Sequence, residues 1–267
     1  MLRWILLTSL AALSAAALTA QAGAQTCQDN RRVVGGVATD IKDHPWQVEL
    51  NIPAPDGQSF LCGGSLIQDK WILTAAHCFA HAKPAGEVVR AKSGVTNREA
   101  GAWLDTDAVF VHEGYNGGTH ENDIALVRLR FAPAGEIIPL AHAGQQLKPC
   151  ELLEVTGWGR TAEKGPASEI LQKGELPYIE NATCNAKDAL NGQIKPGMMC
   201  AGYRDGGIDS CQGDSGGPLV RRGKDGPVLV GVVSWGEGCA RKLRYGVYTR
   251  VDAYSGWIAD TILANQN

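Results

Sequence analysis

The sequence has 267 residues, of which 44% are hydrophobic and 20% are charged, and its formal net charge is −3 at pH 7. A chain of this size is long enough for one large domain or for two closely packed halves with their own cores. The interspersed, slightly acidic charge excludes a basic nucleic-acid-binding face and a polybasic membrane anchor, so we expect neither nucleic acid nor a membrane as a partner.

The N-terminus has the pattern of a secretory signal peptide. Arg3 precedes an apolar run over residues 4–20, and the small residues Ala22-Gly23-Ala24 follow before Gln25. We therefore predict a signal peptide over residues 1–24, removed on export. A membrane anchor helix is the alternative, but Ser and Thr interrupt the run and its exit resembles a cleavage site. The prediction is a protein secreted from the cell, or into the periplasm of a bacterium.

A second processing site follows the predicted signal peptide. Residues 25–32 are polar and end in the dibasic pair Arg31-Arg32, before the apolar and flexible Val33-Val34-Gly35-Gly36. We predict that residues 25–32 are a propeptide and that the mature domain covers residues 33–267.

The body of the chain has the rhythm of an all-β protein. Short β-type segments recur from Gln47 onward, and turn residues separate them in a chain with 33 Gly and 12 Pro. This pattern is typical of a sandwich or barrel. A Gly-, Pro- and Gln-containing stretch near residues 135–150 predicts a boundary between two similar halves, and residues 253–264 have helical spacing. The predicted strands are Gln47–Leu50, Ser65–Ile67, Trp71–Leu73, Ala108–Val111, Ile124–Leu129, Leu152–Thr156, Val228–Val233 and Gly246–Val251.

The eight cysteines indicate disulfides rather than a metal site. Export leads to an oxidising compartment in which disulfides persist, and an even count fits four bridges. No CxxC pair occurs, and although His77 adjoins Cys78, no second cluster has zinc spacing. The cysteines are Cys27, Cys62, Cys78, Cys150, Cys184, Cys200, Cys211 and Cys239.

A serine between glycines, Ser215 in Gly213-Asp214-Ser215-Gly216-Gly217-Pro218, is the candidate nucleophile. A serine hydroxyl needs an imidazole to accept its proton and a third group to orient that imidazole. His77 ends an apolar strand beside a cysteine, whereas the other histidines have loop-like surroundings. Asp123 opens a strongly apolar strand, where a buried carboxylate must be hydrogen-bonded.

The same serine also matches the G-x-S-x-G pattern of α/β-hydrolases. In those enzymes the acid and the histidine follow the serine, and strands alternate with helices before it. Here His77 and Asp123 precede Ser215, and the body is predicted to be β. Chain order therefore excludes that class.

Three segments in this order, Thr74-Ala-Ala-His-Cys78, Asn122-Asp-Ile-Ala-Leu126 and Gly213-Asp-Ser-Gly-Gly-Pro218, resemble the signatures of the chymotrypsin–trypsin family of serine endopeptidases. Ser234-Trp235-Gly236 follows them, as in that family, and the resemblance extends along the chain from Val33. It implies two six-stranded antiparallel Greek-key β-barrels with a C-terminal helix.

The resemblance implies a role for each matching residue. Ser215 attacks the peptide carbonyl, His77 acts as base and then as acid, and Asp123 orients the imidazole. The N–H groups of Gly213 and Ser215 form the oxyanion hole. Ser234 resembles the family serine that hydrogen-bonds the aspartate.

The resemblance also implies the substrates. Asp209 occupies the place of the trypsin-type pocket carboxylate, which selects Arg or Lys before the scissile bond, and Gly236 and Gly246 match the small residues that keep the pocket open. We expect protein or peptide substrates and protein inhibitors as partners, a monomer, and no cofactor or metal ion. Tyr245 departs from the usual trypsin proline, and the resemblance allows sodium to modulate activity through the carbonyls of Arg241 and Arg244.

Val33-Val34-Gly35-Gly36 resembles the start of mature family enzymes, which implies a zymogen. Cleavage after Arg32 frees the amine of Val33, which then pairs with the Asp214 carboxylate and orders the oxyanion loop. Because Arg32 suits the expected specificity, self-activation is one route and another protease is the other.

Family positions imply three disulfides: Cys62–Cys78, Cys184–Cys200 and Cys211–Cys239. Cys27 and Cys150 remain, and either a relocated propeptide tether or free thiols fit them. The alternative to an enzyme is an inert protease homologue used as a binding module, although such proteins typically lose a member of the triad and this chain retains all three residues.

Overall fold

The computed structural model describes Cys27, residues 36–80 and residues 89–266. The predicted signal peptide and the predicted cleavage site between Arg32 and Val33 lie outside these residues. No helix in the described ranges is long and apolar enough to cross a bilayer.

The first half of the chain forms a closed antiparallel barrel. Its strands close in the order β2-β3-β4-β7-β6-β5, with β5 returning to β2. A buried core of aliphatic residues fills the barrel, including Leu50, Ile72 and Leu126, none of which exposes any surface. The strands are β2 (Gln47–Pro53), β3 (Ser59–Gln68), β4 (Trp71–Thr74), β5 (Arg90–Ser93), β6 (Leu104–Val111) and β7 (Ala125–Leu129).

The second half forms a second closed six-stranded barrel. The strand order is β9-β10-β13-β12-β11-β8, and β8 pairs back onto β9; β1 (Val37–Ala38) adds to the outer edge of β9. The chain passes from one barrel to the other over residues 130–151. The strands are β8 (Leu152–Gly157), β9 (Gln172–Ile179), β10 (Met198–Ala201), β11 (Pro218–Gly223), β12 (Gly226–Trp235) and β13 (Gly246–Arg250).

Helices are few and short among the described residues. α1 (Asn181–Cys184) is a single turn, and α2 (Ser255–Ala264) packs Ile258 and Ile262 against the barrel core. The predicted tail helix begins two residues later than expected, because Val251–Tyr254 forms a 3-10 turn that leads out of β13. Two further 3-10 turns are Ile41–Asp43 and Ala76–Phe79.

The two-barrel prediction is confirmed, but several strands escaped the sequence pattern. The missed strands are β1, β5, β9, β10 and β11. β9 contains Gln, Lys, Glu and Pro, and β11 ends in Arg-Arg-Gly, so neither has the apolar alternation of a half-buried strand. Both are strands because barrel closure gives each of them partners on two sides.

A polar cluster of a buried histidine, a buried glutamate and an exposed arginine joins the two barrels. His44 precedes β2 and exposes no surface; its Nδ1 lies 3.3 Å from Glu154 Oε1 on β8. Arg222 on β11 donates to Glu154 at 2.7 Å and lies 3.0 Å from His44 Nδ1. Burial is the largest cause that lowers the pKa of His44 to about 4, because the imidazolium would lose its water.

We predict that His44 makes the protein less stable in acid. The pKa of His44 in the fold is about 4, below its ordinary value of 6.5, so only the unfolded chain takes up the proton between these values. The free energy of unfolding should fall as the pH drops from 6.5 to 4, by about 1.4 kcal/mol per pH unit from this group. Urea unfolding of His44→Gln should lack this slope, whereas the exposed His142→Gln should keep it; equal slopes in all three proteins would contradict the assignment.

Candidate active site

His77 lies in the 3-10 turn at the end of β4, where the Cys62–Cys78 disulfide fixes the turn to β3. Its ring Nδ1 lies 2.7 Å from Asp123 Oδ2, and its backbone N–H donates to Asp123 Oδ1 at 2.8 Å. Both oxygens of one carboxylate therefore hold the same histidine. The imidazole is oriented with its Nε2 side turned away from the acid.

Asp123 exposes no surface, yet it is well supplied with hydrogen bonds. The Ser234 hydroxyl donates to Oδ2 at 2.5 Å, and the Thr249 hydroxyl donates to the backbone carbonyl of Asp123 at 2.7 Å. Burial raises the pKa of Asp123, but the hydrogen bonds from His77 and Ser234 outweigh it and leave the pKa below its ordinary value. The carboxylate stays ionised in a site without water contact.

Ser215 comes from the other barrel, on the loop that leads into β11. Its carbonyl accepts a hydrogen bond from Gly63 N–H at 2.7 Å, next to the disulfide that holds the histidine turn. A Cβ on Gly216 would lie 2.1 Å from Thr74 Oγ1 and 3.1 Å from Ala75 N, so the two backbones touch. The structure thus brings Ser215 beside the turn of His77, across the junction of the barrels.

Two backbone donors lie on the same loop as the serine. Within the described parts of the chain, the N–H groups of Gly213 and Ser215 have no acceptor. Gly213 has φ +99°, which favours glycine, and a Cβ there would also lie 3.0 Å from Gly159 Cα. The arrangement leaves two amides free to bind an oxygen atom beside the serine.

Asp214 points away from the cleft into the second barrel. Its carboxylate accepts from Gly159 N–H at 2.8 Å and from Cys211 N–H at 3.0 Å. A Cβ on Gly157 would lie 2.1 Å from Asp214 Oδ1, so glycine is required there. Burial raises the pKa of Asp214 to about 6 although the two backbone N–H donors lower it, and no cation among the described residues pairs with it.

The four predicted pocket residues surround one cavity of about 100 Å³, and Ser215 lies in its wall. The Asp209 carboxylate accepts from Ser210 N–H at 2.9 Å and from Ala240 N–H at 3.1 Å. Burial raises the pKa of Asp209 to about 7 despite these bonds. A Cβ on Gly246 would lie 2.6 Å from Asp209 Oδ1, so any larger residue would fill the base of the pocket. The other predicted members, Ser234 and Gly236, line its wall.

All eight cysteines form disulfides: Cys27–Cys150, Cys62–Cys78, Cys184–Cys200 and Cys211–Cys239. The Cys62 and Cys78 sulfur atoms lie near His77, but their disulfide leaves no thiolate for a metal ion. The carbonyl of Arg241, an expected sodium ligand, accepts a hydrogen bond from Arg244 N–H at 3.1 Å, and the sodium hypothesis stays a prediction.

Sequence reasoning missed several residues that support this site. Gly63 holds Ser215, Gly157 and Gly159 make room for Asp214, and Thr249 holds the backbone of Asp123. Gly157-Trp158-Gly159 was a visible signal, since two glycines beside a strand end suggest close backbone approach. Thr249 gave none, because a threonine in a strand is ordinary.

Comparisons with known proteins agree with this geometry. A protein-family model described as Trypsin matches residues 33–258. Among curated proteins, the chain is similar to Transmembrane protease serine 11C of Mus musculus, with 40% identity over 232 residues. The alignment covers 85% of this chain and 53% of the mouse protein, so the chain spans about half the length of the curated relative that it matches.

We predict that an amidinium ligand, benzamidine, binds the Asp209 cavity with a marked pH dependence. The pKa of Asp209 is raised to about 7, and only the ionised carboxylate attracts a cation. Affinity should be constant above pH 8 and should weaken by about tenfold per pH unit well below 7. Calorimetry on the Ser215→Ala variant should show proton release near pH 6; a dissociation constant that does not change between pH 5.5 and 8.5 would contradict this.

Proposed function

The chain belongs to the trypsin family of serine proteases, and we propose that it is a secreted endopeptidase that hydrolyses peptide bonds after Arg and Lys. It is a serine endopeptidase by family, so its substrates are proteins or peptides. The observation that carries the proposed specificity is one cavity that has the partly buried Asp209 carboxylate at its base and Ser215 in its wall.

The proposed reaction proceeds through an acyl-enzyme. Ser215 Oγ attacks the peptide carbonyl while His77 Nε2 takes its proton, and Asp123 stabilises the imidazolium through the 2.7 Å bond to Nδ1. The tetrahedral oxyanion binds the amides of Gly213 and Ser215. His77 then protonates the leaving amine, and a water molecule, with His77 again as base, hydrolyses the ester.

Specificity for Arg and Lys follows from the free-energy cost of ionising the partly buried Asp209 carboxylate without a cation. Two backbone amides donate to the Asp209 carboxylate, yet burial keeps its pKa at about 7, so the protein solvates the ionised form poorly. A substrate guanidinium or ammonium group supplies the missing counter-charge. An apolar side chain leaves the carboxylate uncompensated and binds less well.

We predict that Ser215→Ala and Asp209→Ser have different effects on turnover of an arginyl chromogenic amide. Ser215→Ala should lower kcat by about 10⁴-fold or more because the nucleophile is lost. Asp209→Ser should lower kcat/KM for Arg by about 100-fold or more while it retains cleavage after apolar residues. Asp225→Ser, which changes an exposed acid in a turn, is the matched control; unchanged Arg preference in Asp209→Ser would sink the proposal.

We further propose that the enzyme is a zymogen that is activated by cleavage after Arg32. A cavity of about 260 Å³ contains both Gly36 and the partly buried Asp214 in its wall. Val33 is three residues from Gly36, within a reach of about 10 Å. The α-amine of Val33 would give Asp214 its missing cation and hold the oxyanion loop that follows in sequence.

The Cys27–Cys150 disulfide supports a retained propeptide. Gly36 lies beside Lys173, near the start of β9, and Cys150 N–H donates to the carbonyl of Tyr178, near its end. These positions are about 17 Å apart along the strand, and the nine residues from Cys27 to Gly36 can span about 30 Å. The segment from Cys27 to Gly36 is therefore longer than the distance that it must span, and the disulfide keeps residues 25–32 attached after cleavage.

We predict that a single alanine inserted between Arg32 and Val33 abolishes activation without blocking cleavage. The amine would then belong to the wrong residue and could not reach Asp214 in the same register, so kcat/KM should fall by about 100-fold or more. An alanine inserted between Gly223 and Lys224, in an exposed turn, is the control. Full activity of the first variant after cleavage would refute the mechanism, and a mass spectrum of the unreduced enzyme should still include residues 25–32.

Several finer points belong to the same proposal. The predicted signal peptide and the four disulfides support secretion. The name of the mouse relative describes a membrane-anchored protease, and the comparison covers about half of that protein. We propose a monomer that protein inhibitors can bind through the Asp209 cavity.

A further inference from the structure

The two cavities that contain Asp209 share one wall. The cavity of about 100 Å³ beside Ser215 and the cavity of about 260 Å³ beside Asp214 are both lined by Asp209 and by the Cys211–Cys239 disulfide. Ala240 follows this disulfide in sequence, and its N–H donates to Asp209 Oδ2 at 3.1 Å. The placement of Ala240 therefore sets one of the two backbone hydrogen bonds of the Asp209 carboxylate.

The loop that carries Ala240 has a strained backbone. It covers residues 236–245, between β12 and β13, and has no regular secondary structure. Ala240 has φ +54° and Leu243 has φ +59°, in the left-handed region that residues other than glycine avoid. Such a backbone persists only where the surrounding structure holds it. A side-chain contact to this loop can therefore decide where its backbone lies.

Arg241, the residue after Ala240, makes a contact of this kind. Its Nε donates to Glu163 Oε2 at 3.0 Å and its Nη2 donates to Glu163 Oε1 at 2.5 Å, so the guanidinium binds both oxygens of one carboxylate. Glu163 lies on the loop between β8 and β9 and lines the cavity beside Asp214. The hydrogen bond from Arg241 holds the pKa of the Glu163 carboxyl below its ordinary value. The ion pair thus joins two loops that border the same cavity.

The backbone of the loop is shaped around this guanidinium. Gly238 has φ +83°, and a Cβ on it would lie 2.3 Å from Arg241 Nε. A larger residue at position 238 would therefore displace the Arg241 side chain from Glu163. Most ion pairs between exposed side chains contribute little to stability, but a pair in which the guanidinium binds both carboxylate oxygens is the exception.

We propose that Arg241 and Glu163 are positioning residues for the Arg and Lys specificity, because their ion pair keeps the Ala240 N–H on the Asp209 carboxylate. Neither side chain lines the cavity that contains Ser215, so the pair acts through the backbone of the residue next to Arg241. This inference rests on the proposed endopeptidase function.

Loss of the ion pair should weaken the binding of a cation through Asp209. Once the pair is broken, the strained loop relaxes and Ala240 N–H donates less well to the carboxylate. The ionised form of Asp209 then loses part of its solvation, so the pKa of Asp209 rises above about 7 and a smaller fraction is ionised in acid. Asp214 and Tyr248 are the other titratable groups that face Asp209, and both stay unchanged in the variants below.

Calorimetry with benzamidine tests the proposal on Ser215→Ala protein that an added protease has cleaved after Arg32. At pH 6, Arg241→Gln should raise the dissociation constant about fivefold, the effect of weakening one hydrogen bond to a charged group. At pH 9 the loss should shrink to about twofold or less, because Asp209 is ionised in both proteins, and binding there also shows that the variant is folded. No loss at pH 6, or an equal loss at both pH values, overturns the proposal.

Glu163→Gln separates positioning from the plain effect of charge. Removal of the negative charge of Glu163 should by itself weaken the binding of a cation, and removal of the positive charge of Arg241 should by itself strengthen it. Loss of a shared ion pair instead weakens binding in both variants, and the double variant should bind no more weakly than either single variant. Tighter binding in Arg241→Gln, or losses that multiply in the double variant, contradict the assignment.

Lys242→Gln is the matched control. It removes the same charge from the next position of the same loop, where Lys242 pairs with the exposed Asp205 at 3.2 Å. Its dissociation constant should stay within about twofold of that of the parent protein at both pH values. A loss as large as that of Arg241→Gln would mean that the charge of the loop, and not the pair with Glu163, sets the affinity, and would overturn the proposal.

The design separates this inference from the proposed function. If the parent protein binds benzamidine and the Arg241 and Glu163 variants bind it equally well, only the positioning role fails. If the parent protein binds no benzamidine at any pH, the proposed Arg and Lys specificity itself fails.

Discussion

Burial of the three carboxylates around the serine loop is the constraint on which this site depends. Asp123 exposes no surface, Asp209 and Asp214 are partly buried, and burial by itself raises the pKa of each. They differ in the hydrogen bonds that the surrounding protein supplies. Asp123 accepts hydrogen bonds from His77 and Ser234, and its pKa is lowered. Asp209 and Asp214 accept hydrogen bonds from backbone amides only, and their pKa values stay raised, at about 7 and about 6. The fold compensates one acid, and the other two have no cation partner among the residues that the structure describes.

These two incompletely compensated acids give the proposed enzyme its dependence on incoming charge. In the proposal, Asp214 obtains its cation once, from the amine that cleavage creates, and Asp209 obtains one in each catalytic cycle, from the substrate. Asp214 lines the cavity beside Gly36, and Asp209 lines the cavity that also contains Ser215 in its wall. A lysine or arginine of the fold paired with Asp214 would order the oxyanion loop before cleavage. One paired with Asp209 would fill the pocket before substrate binds.

The sequence was informative where chemistry is local and uninformative where packing decides. The sequence alone indicates the site through three local features: the glycines around Ser215, the cysteine beside His77 and the apolar strand after Asp123. β9 and β11 were missed because their charged and small residues have no apolar period, and barrel closure makes them strands. The pairing of Cys27 with Cys150 was also open in the sequence, since spacing does not fix connectivity.

Close backbone approach explains why the remaining site residues were hard to find. Gly63, Gly157 and Gly216 each lie where an added Cβ would come within 3.0 Å of another atom. Such a glycine acts through the space that it leaves empty, and a single sequence does not show which neighbour needs that space. The same limit applies to Gln47 and Glu49, which look like ordinary polar residues of a strand. Only the packed structure shows that Gln47 Nε2 and Glu49 Oε2 are buried without hydrogen-bond partners among the described residues.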